Sequence, residues 1–175
     1  MRKSFVLLMT MFISGSVFAN GAMTTTPSEK LAPVNVSYVQ SSAYSEVRPV
    51  DMKKGVYQLV INDVSPYVSY FSDRPNRIVG QLPMSAFLKQ WGQGEHSFSL
   101  DAPNGILSGV QRTATGKHVP MNVVMVLSQP VYQASKQTMT YQVQILKDAP
   151  KSSDGSIMLH NATLIIDNAC LTCIG

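Results

Sequence analysis

The sequence predicts a mainly β protein: an antiparallel β-sandwich, or a barrel-like sheet, of seven to eight strands with one short helix near residues 83–91. Three observations carry this reading. From Val34 onward the dominant spacing of apolar residues is two, the period of a strand with one face in a core. Turn residues punctuate these runs at short intervals, as chains that fold back on themselves require. Only one segment has helical spacing, so strand–helix–strand alternation and a parallel sheet are excluded.

The elements follow in order. Val34, Val36 and Tyr38 alternate with Asn35 and Ser37, and Tyr57, Leu59 and Ile61 share one face. Tyr67 to Phe71 is an aromatic strand. Met84, Phe87, Leu88 and Trp91 fall at i, i+3, i+4 and i+7, with Pro83 suited to the first helical position and Gly92 to the end. His96, Phe98 and Leu100 alternate with Ser97 and Ser99 and read as a strand. Pro103-Asn104-Gly105 then reads as a hairpin turn into 106–110, because Asn and Gly tolerate positive φ. Met121 to Leu127 is almost continuously apolar and suits a central strand covered on both faces. Gln129-Pro130 reads as its end. Met139, Tyr141, Val143 and Ile145 oppose Thr138, Thr140, Gln142 and Gln144, the clearest alternation in the chain. Ser153-Asp154-Gly155 opens a last long strand from Ile157 to Ile166.

Ahead of this region lies an address. Arg2 and Lys3 precede an apolar stretch from Phe5 to Ile13, and Val17-Phe18-Ala19 supplies small residues at a cleavage point. Residues 1–19 therefore read as a secretory signal peptide cut after Ala19, too short in its core to span a bilayer. Residues 20–33 form a linker, 34–169 a single β domain, and 170–175 a C-terminal tail with a C-x-x-C pair. The expected location is periplasmic or secreted, an oxidising setting, with no membrane span after cleavage and no lipid anchor at the new N-terminus, since the residue directly after the cut is Asn20 rather than Cys. Loss of Arg2 and Lys3 lowers the formal charge from +4 to +2. The remaining basic residues are scattered, without the basic stripe that nucleic acid requires.

Cys170-Leu-Thr-Cys173 allows three readings. A plain disulfide, within the tail or to another chain, stands first. Metal ligation stands second, with copper or zinc completed by His or Met from elsewhere. Thiol exchange stands third: the strand-like run from Thr163 to Ile166 precedes the pair as such chemistry would want, but no helix follows within the sequence to lower a thiol pKa. His118 lies three residues before Met121, and His160 shares a strand face with Met158. His118, Met121 and His160 are thus soft-ligand candidates, although Met on strands more often fills cores.

The most unusual polar stretch is Ser72-Asp73-Arg74-Pro75-Asn76-Arg77, between the aromatic strand and the helix. Arg forks grip carboxylates and phosphates with two hydrogen bonds at once. Tyr67, Tyr70, Asp73, Arg74 and Arg77, with Trp91 nearby, are therefore candidate ligand-binding residues. The competing structural reading, an internal Asp73–Arg bridge that locks a long connection, carries more weight from the residues alone. No G-x-S-x-G, H-E-x-x-H or Walker pattern occurs, and no pair of acids stands out, so enzymatic function is the weaker expectation. The function expected first is an exported, non-enzymatic binding module for a protein or an acidic small ligand in the cell envelope, needing no cofactor. The alternatives are a periplasmic copper or zinc protein built on the C-x-x-C pair, and an envelope hydrolase with a site that the residues do not reveal.

Overall fold

A computed structural model describes residues 34–94, 97–113, 115–146 and 154–170. The signal peptide, the linker, His96 and Cys173 lie outside the described residues. The described chain is antiparallel β with one short helix. Its elements are β1 (Asn35–Asp51), β2 (Val56–Ile61), β3 (Tyr67–Phe71), β4 (Val79–Pro83), α1 (Met84–Leu88) with a 3-10 turn at Lys89–Trp91, β5 (Asn104–Arg112), β6 (His118–Gln133), β7 (Thr138–Ile145) and β8 (Ile157–Cys170). No helix among the described residues is long and apolar enough to cross a membrane.

The eight strands form one continuous sheet in the order β2-β7-β6-β5-β8-β1-β3-β4, and β1 also pairs with β2. Of the two expected arrangements it is therefore the barrel-like one. β1 makes this possible by serving two neighbours on one side. Its Ser37–Val39 stretch pairs with β3, while Ser45–Asp51 pairs with β2 and closes a six-stranded ring. The ring is not a true barrel, because the β3–β4 hairpin leaves it where β1 changes partners.

The sequence shows why β1 can bend there. Val36, Tyr38, Gln40 and Ser42 point inward, yet the next buried positions are Ser45 and Val47, so the inward phase slips by one residue. At the slip the Ser42 hydroxyl accepts the Tyr44 N–H at 3.0 Å and donates toward the carbonyl oxygens of Tyr44 and Asn62, each at 2.6 Å. A serine that captures neighbouring backbone groups competes with the ladder and kinks the strand.

The ring is filled by Leu59, Ile61, Leu107, Met125, Leu127, Met139, Ile157 and Leu164, all fully buried. The helix covers this interior. Met84 and Phe87 are buried, and the Phe87 ring meets Tyr38 edge to face at a centroid distance of 5.0 Å. The expected helix is present, but Pro83 stands at the N-cap rather than inside the first turn, and the last three residues tighten to 3-10 geometry.

Four local expectations are corrected. Ser97–Leu100 is a turn, not a strand. The Ser97 and Ser99 hydroxyls donate to the Gly92 carbonyl, and the Leu100 N–H bonds back to Ser97 O at 3.0 Å. Asn104-Gly105 opens β5 rather than a hairpin turn; glycine is needed there because a Cβ would lie 2.8 Å from Leu127 Cδ1. β6 continues to Gln133, with Gln129 and Pro130 forming a bulge opposite β7. Its apolar run is covered on one face only: Val123, Met125 and Leu127 are buried, while Val124 and Val126 are half-exposed on the outside.

Candidate functional site

The β3–β4 hairpin sets the geometry of the Arg-rich stretch. Phe71 pairs with Val79 and Tyr67 with Pro83, so residues 72–78 form the tip and the helix begins at the opposite end. The tip is tied by its own backbone and by one serine. The Ser72 N–H donates to Ile78 O at 2.8 Å, the Ile78 N–H donates to Ser72 Oγ at 2.8 Å, and the Arg77 N–H donates to Asp73 O at 3.1 Å. Arg77 adopts φ 48°, a left-handed conformation uncommon outside glycine.

Asp73, Arg74 and Arg77 are all exposed. The expected Asp73–Arg bridge is absent: the ion pairs among the described residues are Arg48–Glu46 at 2.8 Å and Lys54–Asp51 at 3.7 Å. Backbone bonds already hold the tip, so it needs no ionic lock, and neither guanidinium group pairs with an acid among the described residues.

Phe71 and Val79 flank the tip on its outer face, 40% and 80% exposed. Sequence reasoning did not single them out. The available signal was the spacing of 67–71 and 79–83 about a turn, hidden by Gly80 and Pro83, both poor strand residues. Tyr70 lies on the inner face of the same hairpin. It packs over Gly80, where a Cβ would approach its hydroxyl to 2.6 Å, and its ring stands 6.4 Å from that of Tyr38. Tyr67 is exposed at the far end of β3, about 13 Å from Phe71 at strand rise.

Trp91 is not part of this surface. It stacks edge to face on Phe87 at 5.3 Å and on Phe98 at 4.8 Å, and leans on Tyr141 at 5.9 Å. Tyr38 and Phe87 stand between it and Tyr70 in the ring series. An antiparallel hairpin explains the separation, since residues following β4 return to the Tyr67 end.

The metal candidates are likewise dispersed. Exposed His118 and half-buried Met121 sit on β6, exposed His160 on β8, and β5 runs between them. The His160 ring lies 6.3 Å from that of Tyr44. Cys170 is the last residue of β8, paired through its backbone register with Asn35, so it stands roughly 30 Å from His160 along the strand. Among the described residues no three of His, Cys, Asp and Glu come together.

No family model matches the chain, and no curated protein or solved structure does.

Two buried tyrosines have perturbed acidity. Burial, with the neighbouring Tyr70, pushes the Tyr38 hydroxyl up to about 12. Burial drives Tyr141 well above the usual phenol range, against the opposing effect of its bond to Gln40. Both hydroxyls sit in an interior polar network: Gln90 Nε2 donates to Tyr38 Oη at 3.1 Å, and Tyr141 Oη donates to Gln40 Oε1 at 3.0 Å. These groups are structural, since each is satisfied by a core amide.

Proposed function

We propose that this chain is an exported, non-enzymatic binding module that holds an acidic partner in the cell envelope on the tip of its β3–β4 hairpin. The observation that carries the reading is the pair of exposed arginines, Arg74 and Arg77, without an ion-pair partner among the described residues, on a turn already ordered by three internal bonds. A cation without an internal partner loses no intramolecular bond when it meets a carboxylate, and an ordered turn lowers the entropy cost of association. Guanidinium forks suit carboxylates or phosphates. Phe71 and Val79 add apolar contact beside the charges, and Asp73 disfavours a partner whose negative charge falls at its position. Each exposed ion pair contributes roughly 0.2–1 kcal/mol, so the site favours weak, salt-sensitive association. The basic leader and apolar run of residues 1–19 support export.

The test is charge reversal. A hexaglutamate peptide binds the wild-type chain at low ionic strength, and Arg74→Glu/Arg77→Glu abolishes that binding while conferring affinity for hexalysine. Equal hexaglutamate binding by the folded double variant removes the proposal.

A further inference from the structure

The helical segment that carries Trp91 leaves a cleft of about 510 Å³ beside it, between the 97–102 turn and the β6 bulge. Trp91, Phe98, Leu88 and Pro130 supply its apolar wall, and Ser128 and Gln129 stand at its polar side. We propose that this cleft is a second binding site, which takes a small neutral ligand with a planar apolar ring.

The volume falls within the range of small-molecule sites. Among the described residues no charged side chain lines the cleft, and an ion that they surround would lose hydration without a compensating partner. Trp91 and Phe98 are held edge to face at 4.8 Å, a pair against which a third ring stacks or sets its edge. The wall is fixed in advance: the Phe98 N–H donates to Gln90 O at 2.7 Å, and the Ser97 and Ser99 hydroxyls grip the Gly92 carbonyl. A preformed wall spares the ligand the cost of ordering it.

The polar side is also built rather than incidental. The β6–β7 register breaks between Ser128 and Val131, and Gln129 takes φ 47°. A bulge re-aims a side chain out of strand alternation. Gln129 consequently borders both this cleft and a smaller one of about 260 Å³, where its amide offers a donor and an acceptor to one edge of a ring. This site is separate from the Arg74–Arg77 tip and does not depend on the function proposed for it.

Trp91 is the sole tryptophan of the chain, so its emission reports the cleft directly. The full chain is titrated with the neutral probe N-phenyl-1-naphthylamine while Trp91 quenching and sensitised probe emission are followed. Saturable one-to-one transfer is expected. Ala102→Phe, which places a ring in the lining, weakens it at least tenfold, and Ser99→Leu serves as the second filling variant if Ala102→Phe does not fold. Arg74→Ala/Arg77→Ala leaves it unchanged. Absence of saturable transfer in the wild type, or wild-type affinity in a folded filling variant, overturns the proposal.

Discussion

The Tyr141 hydroxyl donates to Gln40 Oε1 at 3.0 Å, joining β7 to β1 through the interior of the ring. Gln40 also directs its Nε2 toward Met84 Sδ at 3.9 Å, so two strands that do not pair with each other and the covering helix meet on one amide. Removing one member leaves a buried acceptor unsatisfied, which costs about 1–3 kcal/mol. Tyr141→Phe is expected to lower stability by that amount in urea unfolding. Gln40→Met in the same background recovers part of the loss, giving a coupling energy in the double-mutant cycle. Strict additivity would show that the bond contributes nothing.

Ser45 gives the opposite expectation. It is fully buried on β1, and its hydroxyl has no partner among the described residues. A desolvated, unpaired hydroxyl is a cost to the fold. Ser45→Ala is therefore neutral or stabilising by up to about 1 kcal/mol, read as an unchanged or raised urea midpoint. A clear loss of stability would reveal a bond that the hydroxyl makes.

The buried tyrosines set an alkaline limit. Unfolded tyrosine ionises near pH 10, whereas folded Tyr38 holds its proton up to about 12 and Tyr141 beyond the usual range. Above pH 10 the unfolded chain has thus released protons that the folded chain keeps, so rising pH favours unfolding. The decline approaches about 1.4 kcal/mol per pH unit for each such group. Urea midpoints are expected to change little between pH 8 and 9 on account of these groups and to drop from 10 to 12, less steeply in Tyr141→Phe. Identical slopes for the variant and the wild type would contradict the assignment.

Gly105 is required by packing, not by turn geometry. A Cβ there would sit 2.8 Å from Leu127 Cδ1 and 3.2 Å from Leu164 Cδ1, both on fully buried side chains. Gly105→Ala is expected to cost about 1–3 kcal/mol through overpacking, measured by thermal or urea unfolding. A stabilised variant would mean that β5 and β6 separate easily.

These cases also explain what the sequence discloses. β7 is legible because its inward residues, Met139 to Ile145, are all apolar. Most of β1 is not, because its inward face carries Gln40, Ser42 and Ser45 and slips phase near Tyr44. Residues 97–100 imitate a strand because serines alternate with apolar residues, yet those serines serve the Gly92 carbonyl. β4 owes its form to β3 rather than to its own residues. At the candidate site the Arg-rich turn is legible from Asp, Pro and Asn. Its apolar flanks, Phe71 and Val79, and the distance of Trp91 depend on hairpin register, which local composition does not encode.

The most direct test of the proposed function is an amide chemical-shift map of the full chain titrated with hexaglutamate at two salt concentrations. The account predicts shifts concentrated at residues 71–79, reduced by salt, and absent in Arg74→Ala/Arg77→Ala. Shifts spread evenly over Lys53, Lys54, Arg112 and Lys117, and retained in that variant, would contradict it.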